Sequence, residues 1–203
     1  MISEEAFYGN RLTTVTVPDS VTNIGGSAFC RNLLTAVTIP DSVTNIGRSA
    51  FSYNQLTSLI IPNSVINIDS YAFCENRLTT IALPDSVTDI GSFAFSYNQL
   101  TSLMIPNSVT NIGNYAFTRN RLTTIALPDS ITNIGGSTFS YNQLTSITIP
   151  DSITYIGWDA FLNNQLTSVT IPKTVTYIHS NAFDGNQGHP ANLTIRGERE
   201  TEA

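Results

Sequence analysis

A spacing of 22 residues governs this chain. Leucine recurs at Leu12, Leu34, Leu56, Leu78, Leu100, Leu122, Leu144 and Leu166, proline from Pro18 to Pro172, and phenylalanine from Phe7 and Phe29 to Phe161 and Phe183. Asn10 to Gly185 spans 176 residues, eight such units. A single unit of this length cannot bury its own apolar residues, but stacked copies can, so the period predicts a solenoid.

Each unit reads N-x-L-T-x-h-x-h-P-[DN]-S-h-T-x-I-G-x-x-A-F-x-x, where h is aliphatic. Leu12, Val15 and Val17 alternate with threonines, which suits a short strand with one buried face. Pro18 ends it, because proline has no amide for a ladder. Asp19-Ser20 are turn residues whose side chains bond nearby backbone, and Val21 and Ile24 form a second short extended pair before the bend at Gly25. Ala28-Phe29 is expected on one helical turn or tight loop that turns the ring inward. Ladders of leucine, isoleucine and phenylalanine then build the core, with coils about 4.8 Å apart.

The segments Leu100 to Pro106 and Ser108 to Phe117 show the pattern L-T-S-h-x-I-P followed by S-V-T-x-I-G-x-x-A-F. This resembles the BspA-like leucine-rich repeats, and the likeness runs from Ile2 to about Ile195. It implies a right-handed solenoid with a parallel β-sheet on one face and short strands or turns on the other. Members of that family usually carry a longer unit with cysteine near the position held here by Asn32, Asn54 and Asn76. The shorter unit and the asparagines are closer to the asparagine ladder of other leucine-rich repeats, so the family's curvature does not carry over. The resemblance implies a bacterial cell-surface or secreted protein that binds host matrix proteins or other cells, and it supplies no catalytic residues.

Alternate units are more alike than neighbours. Ser52 to Ser58 returns at Ser96 to Ser102 and at Ser140 to Ser146, while Asn76 to Leu83 returns at Asn120 to Leu127, so the copied unit is 44 residues long. The division read from this pattern is a partial coil at 1–9, eight repeats at 10–185, a terminal coil at 186–195 and a charged tail at 196–203. Leu193-Thr194-Ile195 resembles a last strand displaced by two residues. The opening halfway through a coil, with no basic segment followed by an apolar stretch, reads as a fragment excised from a longer chain without its signal peptide.

Charge narrows the partners. The net charge is −6 and Lys173 is the only lysine, which leaves no basic footprint for nucleic acid. No run of about 18 apolar residues is present, so no membrane insertion is expected. No catalytic motif occurs: His179 and His189 are the only histidines, and there is no nucleophile elbow, phosphate loop or paired-histidine zinc motif. The chain therefore reads as a non-enzyme without a cofactor. The asparagine column is assigned to structure, because a buried amide can satisfy backbone groups of the neighbouring coil. The row Asp19, Asp41, Asn63, Asp85, Asn107, Asp129 and Asp151 is assigned to turns rather than to calcium, and the regular threonine row Thr13 to Thr167 lacks the second matched column an ice lattice needs, since the neighbouring columns vary at Ala36 and Ser58 and at Ile60 and Met104. Cys30 and Cys74 share one repeat position two coils apart, about 10 Å by the coil spacing, so two free thiols are expected.

Two surface rows remain as candidate partner-binding sites. Ile60, Ala82, Met104 and Ala126 fall on the outward side of adjacent strands if Leu59/Ile61 and Leu103/Ile105 point inward, which makes an exposed apolar stripe. Tyr53, Tyr97, Tyr141 and Arg119 occupy one column that adjoins Arg77 and Arg121, and Tyr and Arg are enriched where interfaces hold tightest. Tyr71, Phe93, Tyr115 and Trp158 are placed elsewhere in the repeat, on another face or packed locally. The preferred function is protein binding or adhesion, ahead of a structural spacer within a larger protein and a glycan- or ice-binding solenoid.

Overall fold

Each 22-residue unit forms one coil of a parallel-strand solenoid in a computed structural model that describes residues 1–186 and 194–197. There is no helix among the described residues. The most continuous ladder is built from two-residue strands. Asn23–Ile24, Asn45–Ile46, Asn67–Ile68, Asp89–Ile90 and Asn111–Ile112 form one five-stranded sheet, and Asn133–Ile134, Tyr155–Ile156 and Tyr177–Ile178 form a further three-stranded one. Like pairs with like, Ile24 with Ile46 and Ile46 with Ile68, so the register repeats the sequence period. The isoleucines from Ile24 to Ile156 are buried, Ile178 at the end is half-buried, and Gly47 continues the ladder by donating its amide to Ile24 O at 2.9 Å.

The leucine-led segment, expected to carry the main sheet, is the looser of the two faces. It shows single bridges from Thr16 to Thr38, Ile60 and Ala82, the short pair Ser102–Met104 with Thr124–Ala126, and a bridge from Thr148 to Thr170. Both ends of the segment explain this. The amide of Leu34 is taken by the Asn54 side chain at 3.0 Å rather than by backbone, and the proline that follows has no amide to give. Only the central residues remain to pair.

The third side is a pair of linked turns, not a helical turn. Ala28 N reaches Gly25 O and Cys30 N reaches Ser27 O, while Phe29 N donates forward to Ala50 O at 2.8 Å. Residues at the Ser27 and Arg31 positions, in nearly every coil, take left-handed backbone with φ of 52–62°. That conformation is uncommon for non-glycine residues and costs energy, which the surrounding ladders offset.

Between the faces run the apolar columns. Phe7, Phe29, Phe51, Phe73, Phe95, Phe117, Phe139, Phe161 and Phe183 stack with ring centroids 5.2–5.8 Å apart. The leucines from Leu34 to Leu166 are fully buried beside them. At the far end Ser168–Ile171 pairs with Thr194–Gly197, Val169 lying opposite Ile195. That step is 26 residues, a displacement of four rather than the expected two, and the strand includes Arg196 and Gly197, which sequence reading assigned to the tail. His189 and the last six residues lie outside the described part.

Candidate functional site

The outward row of the leucine-led face runs Thr16, Thr38, Ile60, Ala82, Met104, Ala126, Thr148, Thr170. Its middle is apolar and exposed: Ile60 is 82% and Met104 76% accessible. Pairing sets Ile60 beside Ala82 and Met104 beside Ala126. Tall and short side chains therefore alternate, and a groove of about 580 Å³ opens where the alanines leave room, lined by Ala82, Leu83, Met104, Pro106, Ala126 and Leu127. Beneath the alanines, Ile81, Leu83, Ile125 and Leu127 are only half-buried, whereas Leu59, Ile61, Leu103 and Ile105 are buried. The row thus brings together all four apolar residues singled out from sequence.

The tyrosine column sits on the turn side. Tyr53, Tyr97 and Tyr141 are exposed, and the Arg119 guanidinium lies between two of them, 5.4 Å from the Tyr97 ring and 4.4 Å from Tyr141. Arg31 covers Tyr53 in the same way at 4.7 Å. Such contacts favour a fixed guanidinium over a mobile one. Arg77 and Arg121 are exposed beyond the buried Asn76 and Asn120, at the start of the leucine-led segment, and the cation–π contacts of the column are made by Arg31 and Arg119 instead.

The sequence sets these tyrosines apart from Tyr71, Phe93, Tyr115 and Trp158; the structure brings members of both columns to one notch. Tyr71, Phe93 and Tyr115 stack at 4.7 and 4.3 Å, and Trp158 meets Tyr115 edge-on at 5.1 Å. Phe93, Tyr115, Tyr97, Arg119, Tyr141 and Asp159 line one notch. The signal was the shared spacing of four residues, which sets both columns on either side of one inward phenylalanine.

The remaining polar columns hold the coils together. Asn54 donates to Phe29 O of the preceding coil at 2.9 Å and to Phe51 O at 3.1 Å, and Asn76, Asn98, Asn120, Asn142 and Asn164 repeat the arrangement. Four of the serines after the proline turns reach back as well, Ser42 to Val21 O, Ser64 to Val43 O, Ser86 to Val65 O and Ser130 to Val109 O, whereas the buried hydroxyls of Ser108 and Ser152 have no partner. Cys30 and Cys74 are buried free thiols, each accepting a hydroxyl hydrogen bond at 3.1 Å from Ser52 and Ser96. Burial pushes the Cys74 thiol up to about 11, against the pull of the Ser96 bond. Burial also raises Tyr53 above its ordinary value. No helix of the described residues is long and apolar enough to cross a membrane.

The BspA type leucine rich repeat region matches in six copies, over residues 1–117 and 66–189. Among solved structures, a leucine rich cell surface protein of Faecalibacterium prausnitzii is 31% identical over 98% of this chain and 63% of its own, with a TM-score of 0.65. A leucine-rich repeat protein of Bacteroides ovatus is 23% identical over 90% of this chain and 51% of its own, with a TM-score of 0.74. The pneumococcal vaccine antigen PcpA is 22% identical over 98% of this chain and 60% of its own, with a TM-score of 0.64. The chain thus spans between half and two thirds of the length of these three solved relatives. No curated protein matches it.

Proposed function

The chain belongs to the BspA-type leucine-rich repeat family, and from that membership we propose that it is a non-catalytic, protein-binding module of a bacterial cell-surface or secreted protein. Its partner is a host matrix protein or another cell-surface protein, bound through the leucine-led face. The observation that carries this reading is the apolar groove around Ala82, Met104 and Ala126, flanked by exposed Ile60. A contiguous exposed apolar patch on a soluble surface marks a contact site more often than chance. The cell-surface description of the Faecalibacterium prausnitzii protein supports the location.

The test is the double variant Ile60→Thr/Met104→Thr, which installs the residue found at Thr38 and Thr148 and so should leave folding unchanged. Binding to immobilised matrix proteins should weaken by about tenfold or more, as expected when central apolar anchors are removed. If Tyr97→Ala/Arg121→Ala carries the loss instead, the turn side is the interface. A parent chain that binds none of the panel at micromolar concentration makes the structural spacer the better reading.

A further inference from the structure

The turn side carries a second, separate feature, a notch of about 260 Å³. We propose that this notch binds one ring of a neutral saccharide, at a site independent of the leucine-led face.

The notch arises from a break in the aromatic column. Tyr71, Phe93 and Tyr115 fill consecutive coils, but the next coil places Ser137 there, and the one after places Asp159. Ser137 is buried and too small to continue the stack. Trp158 packs behind one wall of the notch: its indole lies where a Cβ on Gly136 would stand, and it meets Tyr115, a lining residue, at an interplanar angle of 70°. Across the gap, Tyr97 and Tyr141 hold Arg119 between their rings. The floor is made of hydroxyls, Thr118 Oγ1 and Ser140 Oγ lying 2.6 Å apart and Ser140 Oγ donating to Ser137 O at 3.0 Å.

These groups select by chemistry. One guanidinium and one carboxylate line the notch, so it has no net charge with which to choose an ion, and the chain's charge of −6 repels polyanions. An apolar ligand would strip water from Arg119 and Asp159, the solvated polar groups of the notch, without replacing their hydrogen bonds. A sugar ring meets both demands. Its hydroxyls accept from Arg119 and donate to Asp159, whose carboxylate is already held by Asn181 Nδ2, while its C–H surface lies against aromatic carbon. The volume falls just below the range of about 300–1,000 Å³ for drug-sized ligands, which suits a single ring.

Trp158 is the only tryptophan and packs edge-on against Tyr115 of the notch, so its emission in the full chain reports on the site. Titration with methyl glycosides of glucose, galactose, mannose and N-acetylglucosamine should give a saturable change with at least one of them. Asp159→Ala and Tyr141→Ala should each weaken that binding about tenfold or more, the loss expected for a charge-assisted hydrogen bond or a stacked ring. Ser137→Tyr, which restores the residue type of Tyr115, should abolish it with the thermal midpoint unchanged. Tyr53→Ala and Ile60→Thr/Met104→Thr should leave it intact. The proposal is overturned if no neutral glycoside shifts the emission, if a proline-rich peptide alone does so, or if Asp159→Ala and Tyr141→Ala bind as the parent does. Should Ser137→Tyr fail to fold, those two variants still decide.

Discussion

Each buried asparagine is a connector that no apolar residue can replace. Asn98 donates to Phe73 O at 2.9 Å and to Phe95 O at 3.2 Å, and its Oδ1 accepts from Leu78 N at 3.0 Å. Asn98→Ala leaves these buried backbone groups unpaired and should cost about 2–4 kcal/mol in urea unfolding. Asn98→Asp keeps the shape but loses the donor and buries a charge, so it should cost at least as much. Phe117→Ala should cost about 3–5 kcal/mol, because the ring is fully buried between Phe95 and Phe139. Both roles were legible in the sequence, since a residue type repeated at one position in every coil must answer to the neighbouring coils. Cys74 behaves differently. An unfolded Cys74 ionises near pH 9.0, whereas the folded one keeps its proton to about 11. The unfolded chain therefore sheds protons first, and stability falls as pH rises from about 9 to about 11. Cys74→Ser, which installs the residue of Ser52 and Ser96, should remove that part of the alkaline loss, seen as the difference between the two chains' unfolding midpoints against pH.

Turns and strands were less legible than the columns that cross them. The alternation Leu59, Ile60, Ile61 reads as the stronger strand, yet the continuous ladder is the two-residue Asn-Ile element, too short for any alternation to reveal. The missing amide of its proline was legible; what else limits the longer segment is the capture of its first amide by asparagine, which acts between coils rather than along the sequence. The notch was hidden for a related reason. It depends on small Ser137 following the aromatic run Tyr71, Phe93 and Tyr115, with Asp159 one coil further on, so no single unit displays it. Gly136 has no positive φ, and the backbone there accepts alanine. The added methyl must nevertheless displace the indole of Trp158. Gly136→Ala should therefore shift tryptophan emission to longer wavelength as the half-buried ring moves into water; an unshifted spectrum would mean that the ring does not lie over the glycine.

Across the whole molecule, every stacking contact joins a coil to its immediate neighbours, with Trp158 to Tyr115 as a longer reach. Stability in such an array is the sum of unit and neighbour terms, so length can change without changing the fold, provided each junction meets a matching partner. The 44-residue period makes one such edit available. Asn76-Arg77-Leu78-Thr79-Thr80-Ile81-Ala82-Leu83 and Asn120 to Leu127 are identical, so deleting residues 77–120 joins Asn76 to Arg121 and leaves the local sequence as it was. The phenylalanine stack then passes from Phe73 to Phe139 by way of the retained register, and the leucine column from Leu56 to Leu122. That coils stack in register was legible from the period alone; the four-residue displacement of the last strand was not, because it breaks the period. The shortened chain should fold and keep its parallel ladders. Its dependence on urea should fall by about a fifth, in proportion to the 44 of 203 residues removed. Deleting residues 77–109 instead removes one and a half coils and sets leucine positions against the Asn-Ile ladder, so that chain should not give a cooperative transition. If it unfolded as sharply as the in-register deletion, stacking of like residues would not be what holds the array together.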